Sequence, residues 1–189
     1  MAPTELSTDR LWLRPYLLHM ALPFWQLLEQ NRERLAVDFP DRTSAVRSLE
    51  EAEKRIQLLS YQRRIGDMYS FGIWRKDTDA YIGDITLRRI ARGKLFCEVG
   101  YYIAAEAEGQ GYITESLQAL LKFAFDVLRM ESVNLRCAID NYRSQAVAER
   151  CGFTRTRQFT PEVISSDGPP RPIYQYRLLN KDYRQMYQE

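Results

Sequence analysis

Between residues 98 and 128 the spacing of apolar side chains changes once. Val99, Tyr101 and Ile103 alternate with their neighbours, the period of a strand. Ile113, Leu117, Leu120, Leu121, Ala124 and Leu128 then recur at helical spacing and form one apolar face. Gly109 and Gly111 stand between the two patterns. The spacing predicts a strand, a glycine turn and a helix, with glycine where the backbone needs positive φ or close approach to a ligand. The first amides of a helix lack intrahelical acceptors, and the aligned peptide dipoles add partial positive charge there. An anion such as a phosphate or pyrophosphate is the natural guest of such a turn. The plainer alternative is a tight turn into a packed helix.

The rest of the chain divides into short elements. Residues 10–15 alternate polar and apolar, as in a half-buried strand. Leu22, Trp25 and Leu28 predict a short helix with Pro23 in its first turn. Residues 31–40 connect to a longer helix, with Asp41, Thr43 and Ser44 as available caps and Val46, Leu49, Ala52, Ile56 and Leu59 as its buried face. A strand over 69–75, a turn at 76–79 and a strand over 80–87 predict a hairpin. A turn at 91–94 leads into the strand carrying Glu98. Val133, Leu135, Cys137 and Ile139 mark a further strand, followed by a short helix over 141–150 and strands over 153–159 and 173–178. A loop ends at 168–170, and residues 180–189 suit a terminal helix. With no internal repeat or linker, the 189 residues fit one domain, 1–189.

Composition narrows the chemistry. Hydrophobic residues are 45% and charged residues 28%, ordinary for a globular protein. A net charge of +2 does not mark a nucleic-acid binder. Cys97, Cys137 and Cys151 form no CxxC pattern and His19 is the one histidine, which argues against a zinc site and a histidine triad. No stretch approaches a membrane span, and the first ten residues lack the apolar run of a signal peptide. These features point to a cytoplasmic protein with reduced thiols, no metal, and no membrane or nucleic-acid partner.

The glycine turn lacks the Gly-Lys-Ser/Thr of a Walker loop, and Thr114 stands where a dinucleotide fingerprint has its third glycine. A second block, residues 141–153, begins with Asn141 and ends in Gly152 and Phe153. Together the two blocks resemble the GNAT N-acetyltransferases, which carry a Gln/Arg-x-x-Gly-x-Gly/Ala loop for the pyrophosphate of acetyl-CoA and then an Asn…Gly-Phe helix and strand. Glu106 occupies the Gln/Arg position, a departure that adds negative charge but leaves the backbone contacts intact. Residues 9–15, 31–35, 82–87 and 98–101 are similar to the branch containing bacterial ribosomal-protein N-terminal acetyltransferases, so the resemblance covers nearly the whole chain. It implies the α/β (α+β) GNAT fold, a twisted, mostly antiparallel sheet with helices on both faces and two parallel central strands, about 95–104 and 133–139, that splay apart to admit acetyl-CoA.

The resemblance also implies site residues. Backbone groups of Ile103 and Ala104 would face the acetyl group and pantetheine. Amides of Gly109, Gln110, Gly111, Tyr112, Ile113 and Thr114 would hold the pyrophosphate. Asn141 would bind the pantetheine arm, the alternative being a helix cap. Many family members place an acidic tyrosine four residues before the Gly-Phe glycine, where this chain has Ala148. Ser144 stands where the branch places a hydroxyl near the coenzyme A sulfur, so it is the candidate thiolate stabiliser, the alternative being a plain helix-surface serine. Glu98 is the candidate base, its alternatives being to orient the acceptor or to pair with an arginine. Asp84 is the runner-up. Cys97 and Cys137 suit packing better than nucleophilic roles, and the aromatics at 74, 101, 102, 112, 142 and 176 could line a pocket, although aromatics on strands more often belong to the core. The implied activity is acetyl transfer from acetyl-CoA to an amine, a protein N-terminus or a small amine, by direct attack in a ternary complex. A coenzyme-A-binding sensor or scaffold without turnover is the alternative. Loops 31–45 and 160–172 carry no readable acceptor code.

Overall fold

The computed structural model describes residues 5–161 and 171–187. The expected loop at 168–170 lies outside these residues. Eight strands form one sheet: β1 (Leu6–Ser7), β2 (Leu11–Pro15), β3 (Tyr69–Arg75), β4 (Tyr81–Ala91), β5 (Phe96–Ile103), β6 (Ser132–Ala138), β7 (Thr154–Phe159) and β8 (Ile173–Leu179). Their order is β1-β2-β3-β4-β5-β6-β8-β7, and only β5 and β6 run parallel. Residues Tyr69 to Trp74 of β3 are all buried, so helices cover both faces of the sheet there. The helices are α1 (Ala21–Gln30), α2 (Arg32–Ala36), α3 (Pro40–Ser44), α4 (Leu49–Ile65), α5 (Tyr112–Lys122), α6 (Tyr142–Arg150) and α7 (Asn180–Tyr187).

Two local predictions need correction. The segment expected as a plain connection after residue 31 contains α2 and α3, with Asp41, Thr43 and Ser44 inside α3. The long helix α4 is capped instead by Ser48, whose Oγ accepts from the Glu51 N–H at 3.2 Å. Glu51 in turn accepts from the Arg47 N–H, a variant of the capping box that the Ser-x-x-Glu spacing encodes. Gly66 closes α4 at φ 72°, a left-handed position that suits glycine.

The central helix is also less regular than its apolar spacing implied. After α5 the backbone widens into a π turn over Phe123–Val127, closed by Leu128 N–H donating to the Phe123 carbonyl. The extra residue per turn lets the consecutive Phe123, Ala124 and Phe125 all reach the core. The rings of Tyr69 and Phe71 pack edge-on against Phe123.

The feature that positions the site is where β5 and β6 part. Their parallel pairing runs from Phe96↔Ser132 to Val99↔Leu135 and stops. Beyond it β5 stays on β4 as far as Gly83↔Ile103, and β6 stays on β8 as far as Ala138↔Ile173. A gap therefore opens beside Gly100–Ile103 within the sheet.

Candidate active site

On β5 the Ala104 N–H donates to the Ile82 carbonyl at 2.8 Å, so the preceding register positions alternate toward and away from β4. The backbone groups of Tyr101 and Ile103 consequently point into the gap. Arg34 of α2 donates to the Ile103 carbonyl and, at 2.9 Å, to Asn31 Oδ1. Of the two expected pantetheine contacts, Ile103 thus faces the gap with its carbonyl held by Arg34, while the Ala104 amide is committed to β4.

Gly109 and Gly111 adopt φ 73° and 78°, and Gly111 is the N-cap of α5. The amides of Tyr112, Ile113 and Thr114 follow with no acceptor among the described residues, since the first intrahelical bond is Glu115 N–H to Gly111 O. A side chain built on Gly109 would meet nothing within 4 Å, so the approach to these donors is open. Arg10 lies beside the loop: it donates to the Gln110 carbonyl at 3.0 Å, pairs with Glu115 at 2.7 Å and stacks over Tyr112. The side chain of Glu106, the departure from the family loop, is exposed. Glu108 pairs instead with Arg34 at 2.7 Å and with Arg143 at the start of α6. An open row of amides after two left-handed glycines fits a pyrophosphate.

A cleft of about 390 Å³ opens where β5 and β6 separate. It brings together Glu98, Asn141 and Ser144, while Ile103, Ala104 and residues 109–114 do not line it. Asn141 caps α6 by accepting from the Ser144 N–H at 3.0 Å, and its amide donates to Asp38 at 2.9 Å. The Tyr101 side chain, for which a pocket and the core were the alternatives, lines the cleft, and its hydroxyl reaches the Ser144 carbonyl at 3.5 Å. Burial raises the Tyr101 phenol above its ordinary range, so it stays protonated and able to donate.

Glu98 is only 2% exposed and sits among arginines. Arg88 reaches its Oε1 at 2.8 Å, Arg136 its Oε2 at 2.6 Å, and Arg89 its Oε2 at 3.6 Å. Arg88 is the cross-strand neighbour of Glu98, and Asn134, two residues before Arg136, is its partner on β6. Desolvation lowers the Arg88 and Arg136 guanidinium groups despite this carboxylate. Asp84 is buried away from the cleft and accepts from Tyr16, Arg42 and Thr86 at 2.8, 2.8 and 3.0 Å. Desolvation and the Asp84 charge raise the Tyr16 phenol well above its ordinary range.

All three cysteines are buried. Burial pushes the Cys97 and Cys151 thiols up to about 12 and Cys137 to about 11, which suits packing rather than thiolate chemistry. Reasoning along the chain missed Arg88, Arg89 and Arg136, Arg171 with its partners Asp38 and Asp140, and the direction of Tyr101. The polar face of β6, Asn134 and Arg136 between Val133, Leu135 and Cys137, was the one available signal for the arginine cluster.

The acetyltransferase (GNAT) domain family matches residues 10–154. The ribosomal-protein-serine acetyltransferase of Escherichia coli (strain K12) is 31% identical over 157 residues, covering 81% of this chain and 84% of that protein. The solved structure of RimL, a ribosomal L7/L12 alpha-N-protein acetyltransferase in complex with coenzyme A, superposes with a TM-score of 0.85 at 23% identity, covering 94% and 97% of the two chains. The microcin C7 self-immunity acetyltransferase MccE, in complex with acetyl-CoA and AMP, gives 0.82 at 20% identity, covering 90% and 93%. With the splayed strand pair, the glycine loop and these matches in agreement, the chain belongs to the GNAT acetyltransferase family and is an N-acetyltransferase.

Proposed function

We propose that the chain transfers acetyl from acetyl-CoA to the α-amine of a protein N-terminus, by direct attack in a ternary complex. The observation that carries this reading is the parting of β5 and β6 after Val99↔Leu135, which opens the cleft onto Ser144 in the first turn of α6 and Glu98 on β5. Acetyl-CoA supplies the acyl group as a thioester. The amides of Gly109 through Thr114 would hold its pyrophosphate, and the gap-facing backbone of Tyr101 and Ile103 would flank its pantetheine arm. Asn141 fixes the first turn of α6 and so the position of Ser144. The Ser144 hydroxyl would stabilise the departing thiolate, with Tyr101 as the neighbouring proton donor. Glu98 would organise the arginines of the acceptor side, and the amine proton would leave through water. Protein N-termini are favoured over small amines because the relative sharing 31% of its residues acts, by its name, on a ribosomal-protein serine.

The test is a thiol-release screen with acetyl-CoA against N-terminal peptides and small amines. Peptides starting with Ser or Ala should turn over well above the rate without acceptor, and polyamines and amino sugars should not. Turnover of small amines alone would overturn the reading.

A further inference from the structure

The charges around the cleft are segregated. Three guanidinium groups, from Arg88, Arg89 and Arg136, share the single carboxylate of Glu98, an excess of two positive charges. The other cleft arginines are compensated elsewhere: Arg42 by buried Asp84, and Arg171 by Asp38 and Asp140. On that second side Asp38 and Asp41 line the cleft with Arg42 and Arg171, and Asp41 has no ion pair among the described residues. This side adjoins the reaction centre, since Asp38 accepts from the same Asn141 that caps Ser144.

Two features show that the cationic cluster is built rather than incidental. The Arg136 Nε is buried and has no hydrogen-bond partner among the described residues, and neither has the Glu98 Oε2 that Arg136 Nη2 approaches at 2.6 Å. An unsatisfied buried donor on a charged group costs stability unless a ligand completes it. Arg89 adopts φ 53° where the β4–β5 register breaks between Arg88 and Ala91. Such a conformation is costly for a residue with a side chain, and irregularities of this kind re-aim side chains at functional rims. The Arg89 side chain is 57% exposed and that of Arg136 28%, so both are accessible from solvent.

We propose that Arg88, Arg89 and Arg136 form a carboxylate-binding subsite, so that the acceptor is an N-terminus with an acidic side chain close behind its α-amine. The amine lies toward Asp38, Asp41 and Ser144, and the acidic side chain lies in the guanidinium cluster. Planar, bidentate donors suit a carboxylate. The segregation also disfavours a basic acceptor sequence, which would meet like charge.

The proposal rests on the N-terminal reading above, and one experiment separates the two. Initial rates are compared for otherwise identical peptides carrying Glu, Gln or Lys at the second and third positions, at low and high salt. The Glu peptide should exceed the Gln peptide in kcat/KM by about tenfold at low salt, with a smaller ratio at high salt. Arg89→Glu, at an exposed side chain, should reverse the order of the Glu and Lys peptides. Equal turnover of Glu and Gln peptides by the wild-type protein would overturn the subsite and leave N-terminal acetylation standing. An unchanged preference in a folded Arg89→Glu protein that binds coenzyme normally would also overturn it. Turnover of none of the peptides would overturn the N-terminal reading itself.

Discussion

The two halves of the site are built from different materials. The proposed coenzyme half is backbone: two left-handed glycines and the unpaired amides of one helix start, all within residues 109–114. The proposed acceptor half is side chain: Arg88 and Arg89 from β4, Glu98 from β5, Arg136 from β6, Asp38 and Asp41 around α3, and Arg171 before β8. A backbone site tolerates changes of side chain so long as its φ angles survive. A side-chain site depends on charge balance among segments far apart in the chain. The contrast separates a ligand contact made by backbone geometry from one that can be retuned residue by residue for a different acceptor.

The strongest way to break this comparison is at Gly111. A Cβ there would meet Arg10 Nη2 at 3.5 Å, an ordinary contact, so Gly111→Ala adds mainly the cost of a side chain at φ 78°, about 1 kcal/mol. Gly111→Asp adds a carboxylate beside the proposed pyrophosphate. Its coenzyme affinity should fall by about a hundredfold or more, with Gly111→Ala much less affected, as followed by calorimetry and by the coenzyme-induced rise in Tm. Equal affinity in the wild-type and Gly111→Asp proteins would remove the loop from the coenzyme site.

The same contrast explains what was legible in the sequence. The glycine loop and α5 could be read because local spacing specifies them: turn residues, then one apolar face. The parallel central pair comes through the family resemblance, since periodicity does not say which strands are neighbours. The cap of α4 is ambiguous in the sequence because Asp41, Thr43 and Ser44 are as good cap residues as Ser48 taken singly. Only the Glu51 partner three residues on distinguishes Ser48. The π turn escaped because Phe123 and Phe125 break the helical period that Leu117, Leu120 and Leu121 set. The arginine cluster is not legible because its members come from two strands, β4 and β6, and meet only across Glu98 of β5 through register: Arg88 opposite Glu98, and Glu98 opposite Asn134.

A second, smaller perturbation acts on the acceptor half. Glu98→Gln keeps the size of the side chain but leaves three guanidinium groups without their counter-charge. Breaking such a buried pair costs on the order of 3 kcal/mol, a fall in Tm of roughly 6–12 °C for a chain of this size. If Glu98 organises the acceptor side, the variant should raise the acceptor KM and keep the acidic limb of kcat/KM, which the amine itself supplies. If Glu98 takes the amine proton, that limb and most of the rate should vanish with KM little changed. The geometry favours the first outcome, because both carboxylate oxygens already face arginines. Coenzyme affinity should be unaffected either way. A coupled loss of both affinities would mean that the halves are not separable.

The smallest expected effect lies at the junction of the halves, where Ser144 and Tyr101 meet. Ser144 donates its backbone N–H to the Asn141 cap and accepts the Tyr101 hydroxyl at its carbonyl, so removing its Oγ disturbs neither contact. Ser144→Ala should therefore fold normally and bind coenzyme normally. If its hydroxyl stabilises the thiolate, kcat should fall by about tenfold, equivalent to about 1.4 kcal/mol of transition-state stabilisation. Tyr101→Phe tests the neighbouring donor in the same way, since burial keeps that phenol protonated. A double variant completes a thermodynamic cycle. If the two hydroxyls serve the same thiolate, the double variant should lose less than the two single losses combined. Additive losses would assign them to separate steps, and an unchanged kcat in Ser144→Ala with a large loss in Tyr101→Phe would move the thiolate contact from α6 to β5. Single-turnover rates are the proper readout, because slow product release would hide a change in the chemical step.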